Sequence, residues 1–363
     1  MGKRVFVGAL ALVAACGGRV DGTSDSAENV GTPPREEGTS SFLPTPSGPQ
    51  TVAEGLGAPS ALALTDDAVL FTTRNTMIAG ELLTVGALFA FDKKVGPALM
   101  IAVDREGAAY DAVATDGSTA FVATSDGRIV KVSVRGGATT RVASLGAPAS
   151  AITLSGKYVY YADDGGAIGR VAVAGGEPEI VGAVAGVVRG IEVDEAAVYV
   201  AVGASKERED KPAIVRLALD GGETRVTEAS GEPCAMIREG RRLFWTSLGS
   251  ETSEAAPGAE KGRVLRMSLD GGEIATVASG AFTACAIASD KESLYFATTL
   301  PNAVPVRRGG AAAGLGLMRA PIAGGEATLV PGALHALAQP GAVNVDATHV
   351  YWLTGTAVLR LRK

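Results

Sequence analysis

One sequence pattern recurs seven times along the chain and restricts its fold more than any other feature. Each copy has an apolar segment, a polar turn, a segment with an aromatic residue, a segment with a basic residue, and a short Val-rich segment. The clearest copy is AITLSGKYVYYADDGGAIGRVAVAGGEPEIVGAV, residues 151–184. The middle residues of the seven aromatic segments lie 39 to 56 positions apart and are Leu70, Phe121, Tyr160, Tyr199, Phe244, Tyr295 and Tyr351. Seven copies in one phase indicate a repeat architecture.

Each copy contains four short β-type segments, which we label strands a to d. Turns rich in Gly and Asp separate them, and no helical pattern lies between them, which argues against βαβ units. A period of about 40–50 residues with four strands is typical of a propeller blade. The sequence therefore predicts an all-β fold, a seven-bladed β-propeller of four-stranded antiparallel blades. Only 5% of the residues are aromatic, which fits a core that needs small side chains near its axis.

The two ends of the repeat region complement one another. The seventh copy supplies strands a (342–346), b (349–353) and c (357–362), and the sequence then stops without a strand d. The segment TVAEGL, residues 51–56, matches the d strands TRVASL and ATVASG of other copies. Because an open ring would leave two unpaired edges, we expect 51–56 to pair beside 357–362 and close the propeller. The predicted domain covers residues 51–363.

Composition excludes some classes of partner. The formal net charge is −6, and no run of Lys and Arg is longer than a pair, whereas nucleic-acid binders present a basic face. No stretch after residue 16 approaches 18 unbroken apolar residues, so we expect no membrane-spanning helix in the mature protein. We expect a monomer.

The N-terminal residues are typical of a secretory signal. Lys3 and Arg4 precede an uncharged run from residue 5 to residue 15, which is too short for a stable membrane anchor. Residues 16–50 are rich in Gly, Ser, Thr, Pro and acidic residues, which predicts a disordered tether. The domain prediction is therefore a signal peptide at 1–15, a tether at 16–50 and the propeller.

The residues Val13-Ala14-Ala15-Cys16 resemble a bacterial lipobox. The resemblance implies cleavage before Cys16 and acylation of that residue, with several acyl chains giving a stable anchor. Gly17, where an Asp would favour retention in the inner membrane, implies an outer-membrane location. The alternative is an ordinary signal peptide in which the Cys is accidental.

Two aromatic segments, Tyr351-Trp352-Leu353-Thr354 and Phe244-Trp245-Thr246-Ser247, resemble the YWTD element of YWTD/NHL-type propellers. The longer string VDATHVYW…GTAVLRL looks like repeats of secreted propeller lipoproteins from myxobacteria. This resemblance covers about residues 51–363 and implies a fold without specifying a function. The sequence departs from the pattern, because Trp occupies the second aromatic position in only two copies and seven blades replace the usual six.

Most extra length in the longer copies falls between strands b and c. The insertions are 74–86, 203–212, 247–262 and 298–314. In a propeller these connections emerge on one face together with the d–a connections, and binding residues favour loops on a rigid scaffold. The pattern favours a binding face, the alternative being drift of tolerant surface loops.

Cys234 and Cys285 occupy equivalent places at the start of strand a in adjacent copies. Inner strands converge near the axis, and export permits oxidation, so we predict a disulfide between them. The alternative is two thiols packed as small apolar groups.

Signals for catalysis are sparse. The chain has two His residues and none of the common hydrolase, metalloprotease or phosphate-binding motifs, so we predict no catalytic residue, metal site or cofactor. Some residues on the inserted face are weak candidates for ligand contacts. They are Asp163, Asp164, Arg307, Arg308 and His335, with solvated polar turns as the alternative for the charged pairs.

These observations support three functional hypotheses. The preferred one is a lipid-anchored binding or scaffolding module of the cell envelope, which presents its inserted face to a protein or glycan. The alternatives are an exported propeller-type hydrolase, lyase or dehydrogenase with a site at the channel mouth, and a purely structural envelope protein. Fold alone does not decide between them, because propellers host unrelated functions.

Overall fold

Short strands separated by tight turns form seven antiparallel sheets. The structure is a computed structural model, and it describes residues 48–363 except 79, 95, 205–210, 249–261, 281–282, 306–310, 334 and 337–340. Each sheet contains strands a to d in order from its inner to its outer edge. The inner strand of each sheet contacts the inner strands of both neighbours, and this series closes from the seventh sheet back to the first. The predicted seven-bladed propeller is confirmed.

The first three blades contain strands β2 to β14. Blade 1 consists of β2 (Gly57–Leu64), β3 (Ala68–Ile78), β5 (Ala87–Asp92) and β6 (Leu99–Val103), with β4 (Glu81–Leu83) paired to β3. Blade 2 consists of β7 (Tyr110–Thr115), β8 (Thr119–Thr124), β9 (Arg128–Ser133) and β10 (Thr140–Ser144). Blade 3 consists of β11 (Ala149–Ser155), β12 (Tyr158–Asp163), β13 (Ala167–Ala172) and β14 (Glu179–Ala183).

The remaining blades follow the same order. Blade 4 consists of β15 (Val187–Val193), β16 (Ala197–Gly203), β17 (Ala213–Ala218) and β18 (Arg225–Glu228). Blade 5 consists of β19 (Glu232–Glu239), β20 (Arg242–Leu248), β21 (Arg263–Ser268) and β22 (Ala275–Ser279). Blade 6 consists of β23 (Thr283–Ser289), β24 (Ser293–Pro305), β25 (Ala311–Pro321) and β26 (Thr328–Leu329), with β27 (His335–Ala336) paired to β25. Blade 7 consists of β28 (Val343–Val345), β29 (His349–Leu353), β30 (Val358–Arg362) and β1 (Gln50–Ala53).

The b strands are the most buried elements, because each blade packs against a neighbour on both of its faces. All seven residues of β16 are buried, and the side chains of Trp245 and Trp352 are fully enclosed in β20 and β29. Seven apolar clusters fill the spaces between adjacent blades. In the part of the chain that the structure describes, no helix is long and apolar enough to cross a membrane.

Strand β1 closes the ring as the outer strand of blade 7. It pairs antiparallel with β30, with Gln50 opposite Arg360 and Thr51 opposite Leu359. The closing strand is shorter than the predicted segment 51–56, since the ladder ends at Ala53. Beyond it, the Leu56 N–H donates to the carbonyl of Thr356 at 2.9 Å, so this segment still follows the blade edge.

The two faces of the propeller differ in their connections. We call the upper face the side that carries the b–c and d–a connections, including residues 104–109, 125–127 and 164–166. The lower face carries the a–b and c–d turns, including residues 65–67, 116–118 and 346–348. On the upper face, β3 continues beyond its blade to form a hairpin with β4, and β24 and β25 form a second long hairpin.

Aspartates on the lower face anchor the turns and the blade seams. The Asp346 carboxylate accepts N–H groups of Thr348 and His349 at 2.8 Å and the Tyr351 hydroxyl at 3.0 Å. Lys93 of blade 1 lies 3.1 Å from the same carboxylate, so this aspartate also ties blade 7 to blade 1. Equivalent Tyr–Asp hydrogen bonds occur in blades 4 and 6, from Tyr199 to Asp194 and from Tyr295 to Asp290.

Candidate functional site: the channel mouth on the upper face

A β-bulge occurs at the same position in the inner strands of blades 1 to 6, near the strand end at the upper face. The extra residue in each bulge has no partner in the ladder, and this re-aims its side chain. The bulged residues are Ser60, Asp111, Ser150, Arg189, Cys234 and Cys285. The corresponding position in blade 7 is Gly341. We call these seven residues the mouth ring.

The position after the mouth ring is occupied by Ala in six blades and by Gly in one. These residues are Ala61, Ala112, Ala151, Gly190, Ala235, Ala286 and Ala342. A Cβ added at Gly190 would lie 3.5 Å from the backbone nitrogen of Met236 in the next blade. Inner strands therefore approach closely here, which accounts for the expected small residues near the axis.

A disulfide joins Cys234 to Cys285, with their Cα atoms 4.8 Å apart. The bond links the mouth-ring positions of blades 5 and 6. The two cysteines were expected at equivalent strand starts, and the structure adds that both occupy the bulge. Their oxidation in the isolated protein stays a prediction.

Polar contacts join other neighbouring blades at the mouth ring. The Ser60 hydroxyl donates to the carbonyl of Tyr110 at 2.6 Å, and this contact links blades 1 and 2. The Arg189 guanidinium lies 3.4 Å from the Glu232 carboxylate and links blades 4 and 5. Several polar groups at the mouth are thus already engaged within the protein.

Asp111 is the acidic member of the mouth ring. Its Oδ1 lies 2.9 Å from Nε of Arg74, which extends from β3. Burial raises the pKa of Asp111, the Arg74 charge lowers it, and the charge of Asp164 raises it further. The net effect is a raised pKa of Asp111, because the Arg74 guanidinium does not fully offset burial and the charge of Asp164.

The candidate pair Asp163-Asp164 divides into two roles. Asp163 is buried, and its Oδ1 accepts the N–H groups of Gly165 at 2.9 Å and Ala167 at 2.8 Å. It therefore stabilises the b–c turn of blade 3. Asp164 is exposed on the upper face, and its charge reaches Asp111.

The β3–β4 hairpin carries exposed apolar side chains on the upper face. Met77 and Leu82 are directly opposite one another in the hairpin, and 51% and 60% of their surfaces are exposed. Leu83 is 37% exposed. The ladder of this hairpin begins at Thr76, two residues after Arg74, so the apolar segment follows directly in the chain on the residue that contacts Asp111.

A buried ionic cluster supports the same side of the mouth. The Arg128 side chain, 7% exposed, lies 3.0 Å from Asp104, 3.2 Å from Glu106 and 2.7 Å from Asp126. These contacts join the connection between blades 1 and 2 to the b–c turn of blade 2. Arg128 has three carboxylates as partners, which points to a structural role.

The inner strand of blade 4 carries one acid with a raised pKa. Burial raises the pKa of Glu192 to about 7, while the charge of Arg238 and its backbone N–H oppose this rise. Glu192 is two residues beyond Gly190 on the inner strand of blade 4.

Among the described residues, no group of three or more His, Cys, Asp and Glu is arranged to hold a metal ion.

Four of the sequence-predicted positions receive little or no test. Cys16, Arg307 and Arg308 lie outside the described residues. The backbone of His335 forms β27 and pairs with Leu315 of the long blade 6 hairpin. The acylation of Cys16 and the ligand contacts of these side chains stay predictions.

Asp111 and Arg74 were missed by the sequence reasoning, although a signal for Asp111 existed. Cys234 and Cys285 had been assigned to one position of the repeat. Extending that alignment to the other copies identifies Ser60, Asp111, Ser150 and Arg189 as the same position. Arg74 has no such signal, because it lies in an insertion that only blade 1 contains.

Comparisons with known proteins support the propeller fold. No protein-family model and no curated protein matches the chain. A chain of a mitotic checkpoint complex crystal structure is 12% identical, with a TM-score of 0.63, and the match covers 91% of this chain and 99% of that one. The YCF48 protein from Cyanidioschyzon merolae is 10% identical with a TM-score of 0.61, covering 87% and 99%. The WD40 propeller domain of Doa1 is 10% identical with a TM-score of 0.59, covering 87% and 98%.

At these identities the similarities establish the fold alone. The chain is a seven-bladed β-propeller with WD40-like structural neighbours. The propeller part of the expected resemblance is thereby confirmed, whereas the relation to lipoproteins of myxobacteria stays a prediction.

Proposed function

We propose that this chain is a lipid-anchored binding or scaffolding module of the cell envelope, which takes a protein ligand on its upper face. The observation that carries the proposal is the concentration of exposed apolar and charged groups around the mouth ring. Binding residues favour positions held by a rigid scaffold, and the mouth ring is fixed by contacts between blades.

The state of the polar groups favours binding over catalysis. Ser60 and Arg189 make contacts with neighbouring blades, and Cys234 and Cys285 are joined to one another. A catalytic nucleophile needs a base within hydrogen-bond reach, and the hydroxyl of Ser60 contacts the Tyr110 carbonyl and the Thr72 hydroxyl. These groups stabilise the ring and leave the exposed hairpin and Asp164 for a partner.

The path of the chain supports an orientation for the anchored protein. Gln50 pairs with Arg360 in the middle of β30, and Ala53 pairs with Val358 at the upper-face end of that strand. The described chain therefore enters the propeller from the lower face. With an acylated Cys16 upstream, this entry point favours a lower face toward the membrane and an upper face toward partners.

Site-specific photocrosslinking in intact cells tests the binding face. A benzophenone amino acid would replace Leu82 on the upper-face hairpin or, as the matched control, the exposed Ser118 on the lower face. We expect discrete protein adducts from position 82 and none from position 118. Adducts of the same pattern from both positions, or none from position 82, would contradict the proposal.

A further inference from the structure

The residue directly after strand c occupies an equivalent position in all seven blades. Its backbone N–H donates to a carbonyl of the a–b turn of the same blade at 2.8–3.0 Å. The residues at this position are Lys93, Val134, Val173, Leu219, Leu269, Ile322 and Lys363. Because the backbone contact recurs in every blade, the seven side chains can be compared as one set.

Five of these side chains are apolar and pack in the seam with the preceding blade. Each belongs to the apolar cluster of that seam or packs against it, and they are Val134, Val173, Leu219, Leu269 and Ile322. The other two are Lys93 of blade 1 and Lys363 of blade 7, which face the seams on either side of blade 7. Both seams of the blade that β1 completes therefore have a cation where the other five seams have an apolar side chain.

The lysine in the seam between blades 7 and 1 contacts an aspartate and a tyrosine of blade 7. Lys93 Nζ lies 3.1 Å from Oδ2 of Asp346, and it also donates to the carbonyl of Thr65 at 2.6 Å. The Tyr351 hydroxyl donates to the same Oδ2 at 3.0 Å, and Lys93 Nζ lies 5.9 Å from the centre of the Tyr351 ring. The lysine and aspartate side chains are only 14% and 20% exposed. We call this group of Lys, Asp and Tyr a clamp.

The seam between blades 6 and 7 contains a second clamp of the same composition. Lys363 Nζ lies 2.7 Å from Oδ2 of Asp290, and the Tyr295 hydroxyl donates to that oxygen at 3.1 Å. The ammonium group lies 6.0 Å from the centre of the Tyr295 ring. Blade 7 therefore supplies the lysine to one clamp and the aspartate and tyrosine to the other.

The seam between blades 4 and 5 shows that the lysine is not needed for the Tyr–Asp contact. Tyr199 donates to Asp194 at 3.1 Å, and the buried Leu269 takes the place of the lysine. Burying an ion pair removes water from both charges, so an apolar pair of similar volume is often equally stable or more stable. The charges regain this hydration when a seam opens, whereas an apolar contact exposes its surface to water. At this position, opening therefore costs least in the two seams of blade 7.

Blade 7 also has the shortest inner strand. Its strand β28 contains three residues, whereas the inner strands of blades 1 to 6 contain six to eight. Its outer strand β1 contains four residues and comes from the opposite end of the propeller region. At the mouth ring, blade 7 contributes Gly341, which has no side chain, whereas a disulfide crosses the seam between blades 5 and 6. The blade between the two ionic seams is thus the one with the shortest inner strand.

We propose that blade 7 separates from blades 6 and 1 as a unit while the other six blades stay folded, and that the two clamps determine how often it does so. Strand β1 opens with blade 7, because its ladder is formed with β30. The ring therefore has one defined place of opening. This inference concerns the conformation of the ring and does not depend on the proposed ligand-binding function.

Hydrogen–deuterium exchange of the full-length chain, followed by mass spectrometry of peptides from each blade, tests the proposal. If global unfolding were the only route to exchange, the best protected amides of all blades would share one free energy of opening. We expect the amides of β28, β29 and β30 to exchange at least about tenfold faster than those of β15, β16 and β17 in blade 4, after correction for intrinsic rates.

Variants connect the opening to the clamps. Lys93→Gln and Lys363→Gln should each accelerate exchange in blade 7 at least about threefold, and the double variant at least about tenfold, with less than about a twofold change in blade 4. The matched control is Lys94→Gln, which removes the same charge next to Lys93. Its ion pair with Asp67 is 79% and 77% exposed, so exchange in both blades should stay unchanged.

Three outcomes would overturn the inference. The first is exchange in blade 7 that is no faster than in blade 4 of the parent chain. The second is an equal acceleration of both blades in the double variant, which would indicate a loss of global stability. The third is unchanged exchange of blade 7 in that variant. The first comparison needs no substitution, so it decides the question even if a variant fails to fold.

Discussion

The disulfide between blades 5 and 6 gives the sharpest quantitative prediction. Replacing both Cys234 and Cys285 by Ser removes a cross-link across 51 positions of sequence. In the chain-entropy model, a loop of this length contributes about 4 kcal/mol to the free energy of unfolding. Unfolding entropy of about 2.1 cal/mol/K per residue over about 310 propeller residues converts this loss into a Tm decrease of about 6 °C.

The assay combines thiol counting with thermal unfolding. In a Cys16→Ser background, maleimide labelling of the denatured, non-reduced chain should add no mass, and labelling after reduction should add two equivalents. Each single Cys→Ser variant should lose nearly as much stability as the double variant, because one substitution already breaks the bond.

Reduction provides the control for effects of the substitutions themselves. A reductant should lower the Tm of the disulfide-containing chain by a similar amount and leave the double variant unchanged. Two labelled thiols without reductant, or a double variant within 1 °C of its parent, would refute the reasoning and restore the alternative of two packed thiols.

Three further predictions concern other parts of the molecule. Arg128→Met should lower the free energy of unfolding by about 3–5 kcal/mol in urea titrations, because it leaves the buried Asp104 without its cation. Asp346→Asn should destabilise the fold at pH 7. Burial opposes ionisation of Asp346, but N–H groups and Lys93 hold its pKa well below 3.8. In melting curves the difference from the parent should therefore be full above about pH 4 and shrink progressively as the pH falls from there toward the lowered pKa. Cys16→Ala should abolish incorporation of an alkyne fatty acid and release the protein from the membrane fraction.

The repeat by itself determined the architecture. Seven equally phased aromatic strands specify seven blades, because each four-stranded unit must bury both faces against a neighbour. The missing d strand of the last copy and the matching segment at 51–56 specified the closure, and the structure shortens that strand to Gln50–Ala53. Equivalent positions of Cys234 and Cys285 in the repeat also indicated that the two residues are neighbours.

The residues of the candidate site could be identified only from the tertiary structure. The pairing of Arg74 with Asp111 joins an insertion of blade 1 to a bulge of blade 2, and no periodicity relates these two positions. Asp163 and Asp164 are adjacent residues of the same type. The Asp163 carboxylate accepts hydrogen bonds from two N–H groups of its turn, whereas Asp164 is exposed. Hydrogen-bond satisfaction is set by the local backbone path, which residue type does not specify.

The physical reason for this division is the range of the interactions involved. Strand periodicity and turn chemistry are local properties of the sequence. Because the repeat shows them in seven copies, the positions of the strands and turns can be predicted with little ambiguity. The environment of a charged group depends on which other blades bring charges and apolar surface beside it. That arrangement exists only after the ring has closed, and it decides which residues of the upper face are left for a ligand.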